Sequence, residues 1–164
     1  MEALLYPLAI LSAVGLILSL TVHVLSLTGV VMPDPSLVWM LHMGIFVVWI
    51  PAVFVAQKLV SGYDQKNYWK AVLRGCPPWM KTMVYVFFGY AFVNFFVVFI
   101  LNQPDKGAAG NNSPETFRGF SGHWIAFYSA GAAILYSATQ ADMTDRRRKC
   151  INGHVVPVTA GYCP

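Results

Sequence analysis

Four long apolar stretches constrain the fold of this 164-residue chain more than any other feature of its sequence. A helix needs about 20 predominantly apolar residues to cross roughly 30 Å of hydrocarbon. The chain offers four such stretches, at residues 4–30, 36–56, 80–101 and 123–141. Only 11% of its residues are charged, against about a quarter in soluble domains. The sequence therefore predicts an all-α integral membrane protein, with four transmembrane helices in a bundle at residues 1–145 and an irregular tail at 146–164.

The basic residues predict how the four spans are oriented. The side of the membrane that holds the long loop at 102–122 carries only Lys106 and Arg118. The other side carries nine basic residues: Lys58, Lys66, Lys70, Arg74, Lys81, Arg146, Arg147, Arg148 and Lys149. By the positive-inside rule, we expect both termini and the loop at 57–79 in the cytoplasm, with the protein in an inner or plasma membrane. Topology accounts for the net charge of +4, so no nucleic-acid partner is expected.

The two longer loops differ in composition. The segment DQKNYWKAVLRG predicts a short helix, with Asp64 as its N-cap and Gly75 at its end. Trp69, Val72 and Leu73 can dip into the membrane interface in such a helix, but the preferred interpretation is an ordinary connecting helix without a partner. The loop at 102–122 is rich in Gly, Pro and Asn, so we expect it to be irregular.

Small residues mark the helix faces that are expected to pack against protein. The stripe in the first span consists of Ser12, Gly15, Ser19, His23 and Ser26. The stripe in the fourth span consists of Gly122, Ala126, Ser129 or Ala130, Ala133 and Ser137. Such stripes let helix backbones approach closely in lipid. The third span instead distributes six phenylalanines around its axis, which indicates contact with lipid, a bound hydrophobic cofactor or a neighbouring subunit.

Three histidines are predicted to lie at one level near the outer membrane face. His23 lies before the end of the first span, His42 lies after the start of the second, and His123 opens the fourth. Neutral imidazole binds haem iron and copper, so these three residues are a candidate cofactor site. The alternative is that they are interfacial histidines, hydrogen-bonded to serine or backbone groups of neighbouring helices.

The tail ends in CINGHVVPVTAGYCP, in which Cys150, Gly153-His154 and Cys163 follow the spacing C-x-x-G-H…C-P. This pattern resembles a truncated zinc ribbon that lacks its last cysteine. A structural zinc site has about four ligands, and the resemblance implies Cys150, His154 and Cys163 as three of them. Cys76 lies on the same predicted side, in a reducing compartment, and can complete a Cys3His site. The alternatives are a metal-free docked tail and a fourth ligand from a partner subunit.

No catalytic motif accompanies these features. The sequence has no P-loop, nucleophile elbow or H-E-x-x-H motif, so no enzymatic activity is expected and no small-molecule substrate is identified. All seven acidic residues lie outside the span centres, which disfavours a transporter or channel. We therefore expect a non-catalytic accessory or scaffolding subunit of a larger membrane complex, in contact with lipid and other membrane subunits. The alternative is a haem- or metal-binding electron-transfer protein that uses His23, His42 and His123.

Overall fold

The computed structural model describes residues 2–60, 63, 65–101 and 112–147. These residues form helices and no strand. The elements in chain order are α1 (Glu2–Leu27), α2 (Pro35–Leu59), a 3-10 turn (Gln65–Asn67), α3 (Tyr68–Val72), α4 (Pro78–Phe96), a π-helical turn (Val97–Leu101) and α5 (Pro114–Arg147). The tail at 148–164, with its predicted zinc ligands, lies outside the described residues.

The helix ends follow from local chemistry. Gly29 adopts a φ of +74° just after α1, a conformation that glycine reaches without steric cost. The Asp34 side chain then caps α2 by accepting a hydrogen bond of 3.0 Å from the Ser36 amide, and Pro35 takes the first helical position. At α5, the Ser113 hydroxyl accepts from the Thr116 amide at 3.2 Å, and Pro114 follows it.

The fourth long helix begins nine residues before the start that the sequence predicts for the fourth span. The sequence places that start at His123, whereas α5 begins at Pro114, so residues 114–122 are helical and not an irregular loop. The signal for the true start is local: a serine N-cap, proline at the first position and Glu115 in the first turn. The Gly and Pro content of the loop obscured that signal. At its other end α5 continues to Arg147, two residues beyond the predicted domain boundary.

The short helix in the second loop is also displaced from its prediction. A 3-10 turn precedes α3, which is only five residues long, and Asp64 lies outside the described residues. Val72 and Leu73 could reach the membrane interface in the helix that the sequence predicts, but both are buried inside the protein. The reason is that α3 packs against α5 and α2. Trp69 remains exposed, as expected for the membrane-facing residue of this segment.

The helix α5 forms the centre of the structure, with α1, α2 and α4 packed around it. Phe117, Trp124, Ile125 and Leu135 of this helix are fully buried. Both predicted small-residue stripes are confirmed as packing faces, since every member of each is buried. At the α1 crossing, a Cβ on Gly15 would lie 2.3 Å from the Tyr128 ring. The absent side chain therefore decides how closely these two helices approach.

Apolar side chains are concentrated on the outside of the structure. Two helices, α1 and α2, are long and apolar enough to cross a membrane, yet only 28% of the most apolar stretch of α1 and 22% of that of α2 is buried. Ile10, Ile17 and Phe54 are among the large exposed side chains. The buried helix α5 is the least apolar of the four long helices. A soluble protein buries its most apolar helix in the core, and this structure does the opposite.

The structure supports two of the four predicted spans by length and composition. Among the described residues, α4 and α5 reach the required length but are not apolar enough by the same criterion, so the predicted four-span bundle is not supported. The physical reason lies in their composition. The 19 residues of α4 include Lys81 and Asn94, and α5 replaces large apolar residues by serine, alanine and glycine where it packs.

We predict that Gly75→Ala destabilises the protein whereas Gly89→Ala does not. A Cβ on Gly75 would lie 2.6 Å from the backbone oxygen of Ser137, while a Cβ on Gly89 meets nothing within 4 Å. Overpacking of this kind costs about 1–3 kcal/mol, and alanine in an open helix position gains up to about 1 kcal/mol over glycine. Thermal unfolding of both variants in one detergent measures the difference. Equal midpoints would contradict the close packing of this loop on α5.

Candidate functional site

Three long helices meet at a chain of buried hydrogen bonds. The Ser121 hydroxyl lies 2.6 Å from the carbonyl oxygen of Phe117, which can only accept. The Ser121 oxygen therefore accepts from Nδ1–H of His23, at 2.8 Å. In the neutral imidazole the other ring nitrogen, Nε2, is an acceptor, and the Tyr90 hydroxyl then donates to it. Neutral His23 and Tyr90 side chains thus satisfy every hydrogen bond of this chain.

Each residue of this chain is placed by a different helix. His23 lies in the buried stripe of α1, Ser121 lies one turn after Phe117 on α5, and Tyr90 projects from α4. The hydrogen bond between His23 and Tyr90 joins α1 to α4 across α5. The chain of donated hydrogens ends at the Phe117 carbonyl, which has no proton to pass on. The arrangement therefore ties the three helices together.

Arg118 and Asn94 extend this polar cluster. The Asn94 amide donates to the Arg118 carbonyl oxygen at 2.9 Å, and the helix leaves space for it at Gly122, where a Cβ would lie 2.4 Å from the Asn94 nitrogen. The Arg118 guanidinium lies near enough to His23 and Tyr90 to act on both electrostatically. Sequence reasoning placed Arg118 in an irregular outer loop, and this was wrong because α5 begins four residues before it.

His42 and His123 lie in a second, aromatic cluster between α2, α4 and α5. The Trp124 indole donates to Nδ1 of His42 at 2.9 Å. The Phe120 ring lies between the two histidines, with its centre 5.8 Å from that of His42 and 5.6 Å from that of His123. Trp39 packs against the Phe120 ring at 5.0 Å. These contacts hold the imidazoles by edge-on ring packing and one hydrogen bond.

The structure thus divides the three predicted cofactor residues between two clusters. His23 uses both ring nitrogens within the protein, and His42 uses one. Within the part of the chain that the structure describes, no group of three or more His, Cys, Asp or Glu side chains could hold a metal ion. The bonds of His23 match the alternative expectation, an imidazole held by serine on a neighbouring helix. A haem or copper site at His23, His42 and His123 remains a prediction that no contact here supports.

Cys76 is the one predicted zinc ligand among the described residues. Its thiol is buried and donates to the Ala133 carbonyl oxygen of α5 at 3.1 Å, while the preceding Gly75 amide donates to the Ser137 hydroxyl at 3.0 Å. Burial raises the pKa of the Cys76 thiol to about 11. Zinc binds the thiolate, so Cys76 would have to release its hydrogen bond to Ala133 to act as a ligand. Cys150, His154 and Cys163 lie outside the described residues, and the Cys3His site stays a prediction.

An apolar groove separates α1 from α2 on the outer surface. It has a volume of about 590 Å³, and Gly15, Gly44 and Tyr128 form its floor. The Tyr128 hydroxyl donates to the Leu41 carbonyl oxygen at 2.8 Å, and Ser12 donates to the Tyr128 carbonyl oxygen at 2.8 Å. Both polar ends of Tyr128 are therefore satisfied within the protein. The groove presents an apolar surface to whatever surrounds it.

Comparison with protein-family models, curated proteins and solved structures finds no match to this chain. Its function is therefore inferred from its own residues and geometry.

We predict that Cys76 reacts slowly with thiol reagents while the protein is folded. In a Cys150→Ser/Cys163→Ser background at pH 8, a pKa near 11 leaves so little thiolate that alkylation should be about 100-fold slower than in the unfolded chain. The rate should rise about tenfold per pH unit up to pH 10. Because the folded pKa is raised, this group should also cost stability as the pH rises from about 9 to 11. Mass spectrometry of quenched samples gives the rates.

The matched control is Lys66→Cys, an exposed position in the same loop, which should label at the rate of a free thiol. Equal rates at the two positions would contradict the burial of Cys76. Acceleration at Cys76 on adding a zinc chelator, in a chain that keeps Cys150 and Cys163, would instead favour the zinc hypothesis.

Proposed function

We propose that the chain is a four-span integral membrane protein that acts as a non-catalytic accessory subunit of a larger membrane complex. The observation that carries this proposal is the inverted distribution of apolar side chains. The most apolar helices expose their large side chains, and the least apolar helix, α5, is buried among them. Such a surface is stable in contact with lipid, because exposed apolar area of this extent is rare in soluble monomers.

The lengths of α4 and α5 support their inclusion as spans. With the π-helical turn, the α4 segment continues from Pro78 to Leu101, which corresponds to about 35 Å at 1.5 Å per residue. On α5, the distance from Pro114 to Ser137 is also about 35 Å. Both exceed the roughly 30 Å of hydrocarbon. A helix that α1, α2 and α4 surround has little contact with lipid, so α5 can carry serines that a lone span could not.

The proposed topology keeps both termini and the 57–79 loop in the cytoplasm. The loop packs against α5 at Ser137, and Lys66, Lys70 and Lys81 lie in or near it. Arg118 lies near the opposite end of α5. The basic residues thus remain concentrated at one end of the helices, as the positive-inside rule requires.

The surface of α4 supports an accessory role. Phe88, Phe92, Phe95 and Phe96 are all exposed, and the rings of Phe92 and Phe96 pack at 4.6 Å from centre to centre. Aromatic side chains contribute most of the binding energy in many protein interfaces. We propose this aromatic surface of α4 as the contact with another membrane subunit. The polar cluster at His23 supports a non-catalytic role, since its hydrogen bonds end on backbone oxygen within the protein.

Cysteine labelling tests the topology. In a Cys150→Ser/Cys163→Ser background, Gly110→Cys should react with an impermeant thiol reagent added to intact cells, because residue 110 lies in the proposed outer loop. Lys66→Cys should react only after the membrane is permeabilised. Both variants place a cysteine in a loop, and the proposed topology puts these loops on opposite sides of the membrane. Labelling of Lys66→Cys alone in intact cells would reverse the orientation, and labelling of both would contradict the four-span arrangement.

Native mass spectrometry after gentle detergent extraction tests the accessory role. We expect the chain to be isolated with at least one other membrane protein, and Phe92→Ala to reduce that association by about tenfold, the effect of losing roughly 1.4 kcal/mol at an interface. Ile10→Ala is the control, because Ile10 is 64% exposed and Phe92 is 66% exposed. It should leave the association unchanged. A monodisperse monomer without co-purifying protein would contradict this function.

A further inference from the structure

Arg118 carries a charge that the described residues do not neutralise. Its Nε atom is buried and has no hydrogen-bond partner among the residues that the structure describes. The neighbouring groups on which it acts are His23 and Tyr90, and the hydrogen-bond chain requires a negative charge on neither of them. Leaving a charged group unpaired away from water costs free energy, so buried charges in proteins are generally paired. An anionic group would satisfy both the free Nε–H donor and the charge of Arg118.

The position of Arg118 along α5 identifies the surroundings of that anion. Arg118 lies 19 residues before Ser137, where the cytoplasmic loop packs, and this separation is about 28 Å along a helix. It nearly equals the roughly 30 Å thickness of the hydrocarbon. Arg118 thus lies at the outer boundary of the hydrocarbon, the depth at which lipid headgroups begin. The inference rests in this respect on the membrane placement proposed above.

The seam between α1 and α4 gives access to this position. Tyr90 bridges the two helices through His23 and is still 39% exposed. Arg118 is half-buried, and its carbonyl oxygen accepts from the Asn94 amide of α4 at this level. The neighbouring turns of α1 and α4 expose Val24 and Val93, which are apolar side chains suited to acyl tails. A lipid whose headgroup lies at Arg118 would have these side chains available to its tails.

We propose that this seam binds a membrane phospholipid, with the Arg118 guanidinium holding its phosphate group beside Tyr90. Arginine binds phosphate through parallel N–H···O bonds, which makes it well suited to this anion. A carboxylate from a partner subunit has the same charge and is the competing source. The lipid is favoured because phosphate is present at this depth on all sides of the protein, and because apolar side chains surround the arginine.

The test is lipid-dependent stability of the purified full chain. After delipidation in a neutral detergent, phosphatidylglycerol should raise the unfolding temperature in a saturable manner. Diacylglycerol with the same acyl chains should not, and neither should inorganic phosphate at the same concentration. Arg118→Ala should raise the phosphatidylglycerol concentration for half-maximal stabilisation by about tenfold or more, as expected for a lost charge-assisted hydrogen bond.

Two further variants guard against trivial results. Arg118→Lys retains the charge without the planar donor group, and a smaller rise is expected from it, which keeps the test open if the alanine variant does not fold. Arg74→Gln removes a guanidinium from the other end of the molecule, where it donates to the Leu59 carbonyl oxygen. That variant should keep the lipid effect of the unmodified protein.

Several results would overturn the proposal. Equal stabilisation by diacylglycerol would show that only the acyl tails contribute to binding. Full stabilisation by inorganic phosphate would assign the site to a free anion. An unchanged lipid response in both Arg118 variants would remove the arginine from the site. Loss of a co-purifying protein in Arg118→Ala, with no lipid effect, would assign the anion to a partner carboxylate. Release of the chain from membranes by alkaline carbonate would instead contradict the membrane placement itself.

Discussion

The close approach of α1 to α5 is the contact on which the rest of the structure depends. Gly15 admits the Tyr128 ring, and Gly131 leaves room for Ser12 and Val48, whose atoms would lie within 3.0 Å of an added Cβ. Ser12 then donates across the contact to the Tyr128 carbonyl oxygen. In lipid, helices gain little from burying apolar side chains, and close packing with interhelical hydrogen bonds takes that role. The central position of α5 follows from this packing.

Polar side chains are distributed according to the same principle. Ser121 and His23 join α5 to α1, the Asn94 amide joins α4 to α5, and the thiol of Cys76 joins the cytoplasmic loop to α5. Each of these contacts satisfies a polar group that lipid could not. Two buried atoms are exceptions among the described residues, the Ser19 hydroxyl oxygen and the Arg118 Nε, and only Arg118 carries a charge. A buried charged group that lacks a hydrogen-bond partner inside the protein points to an external ligand.

The hydrogen bonds and ring contacts of the histidines favour a structural role over a cofactor role. A haem or metal ligand needs an unoccupied ring nitrogen, and His23 donates through one nitrogen and accepts through the other. His42 accepts from the Trp124 indole, and Phe120 lies between it and His123. His23 and His42 therefore serve here as polar connectors between helices, a role that suits neutral imidazole because it has one donor and one acceptor.

Local sequence determined the helical class, the apolar character of α1 and α2, and the small-residue faces of α1 and α5, because hydropathy and helical periodicity are properties of neighbouring residues. The capping signal at Ser113 was also local but was outweighed by the surrounding loop composition. Tertiary structure alone decided the partners of the site residues. His23 meets Ser121 across 98 positions and His42 meets Trp124 across 82, and such pairings depend on how whole helices are rotated and packed. The packing of α3 against α2 and α5 also buried Val72 and Leu73. The local sequence pattern could not specify those partner helices.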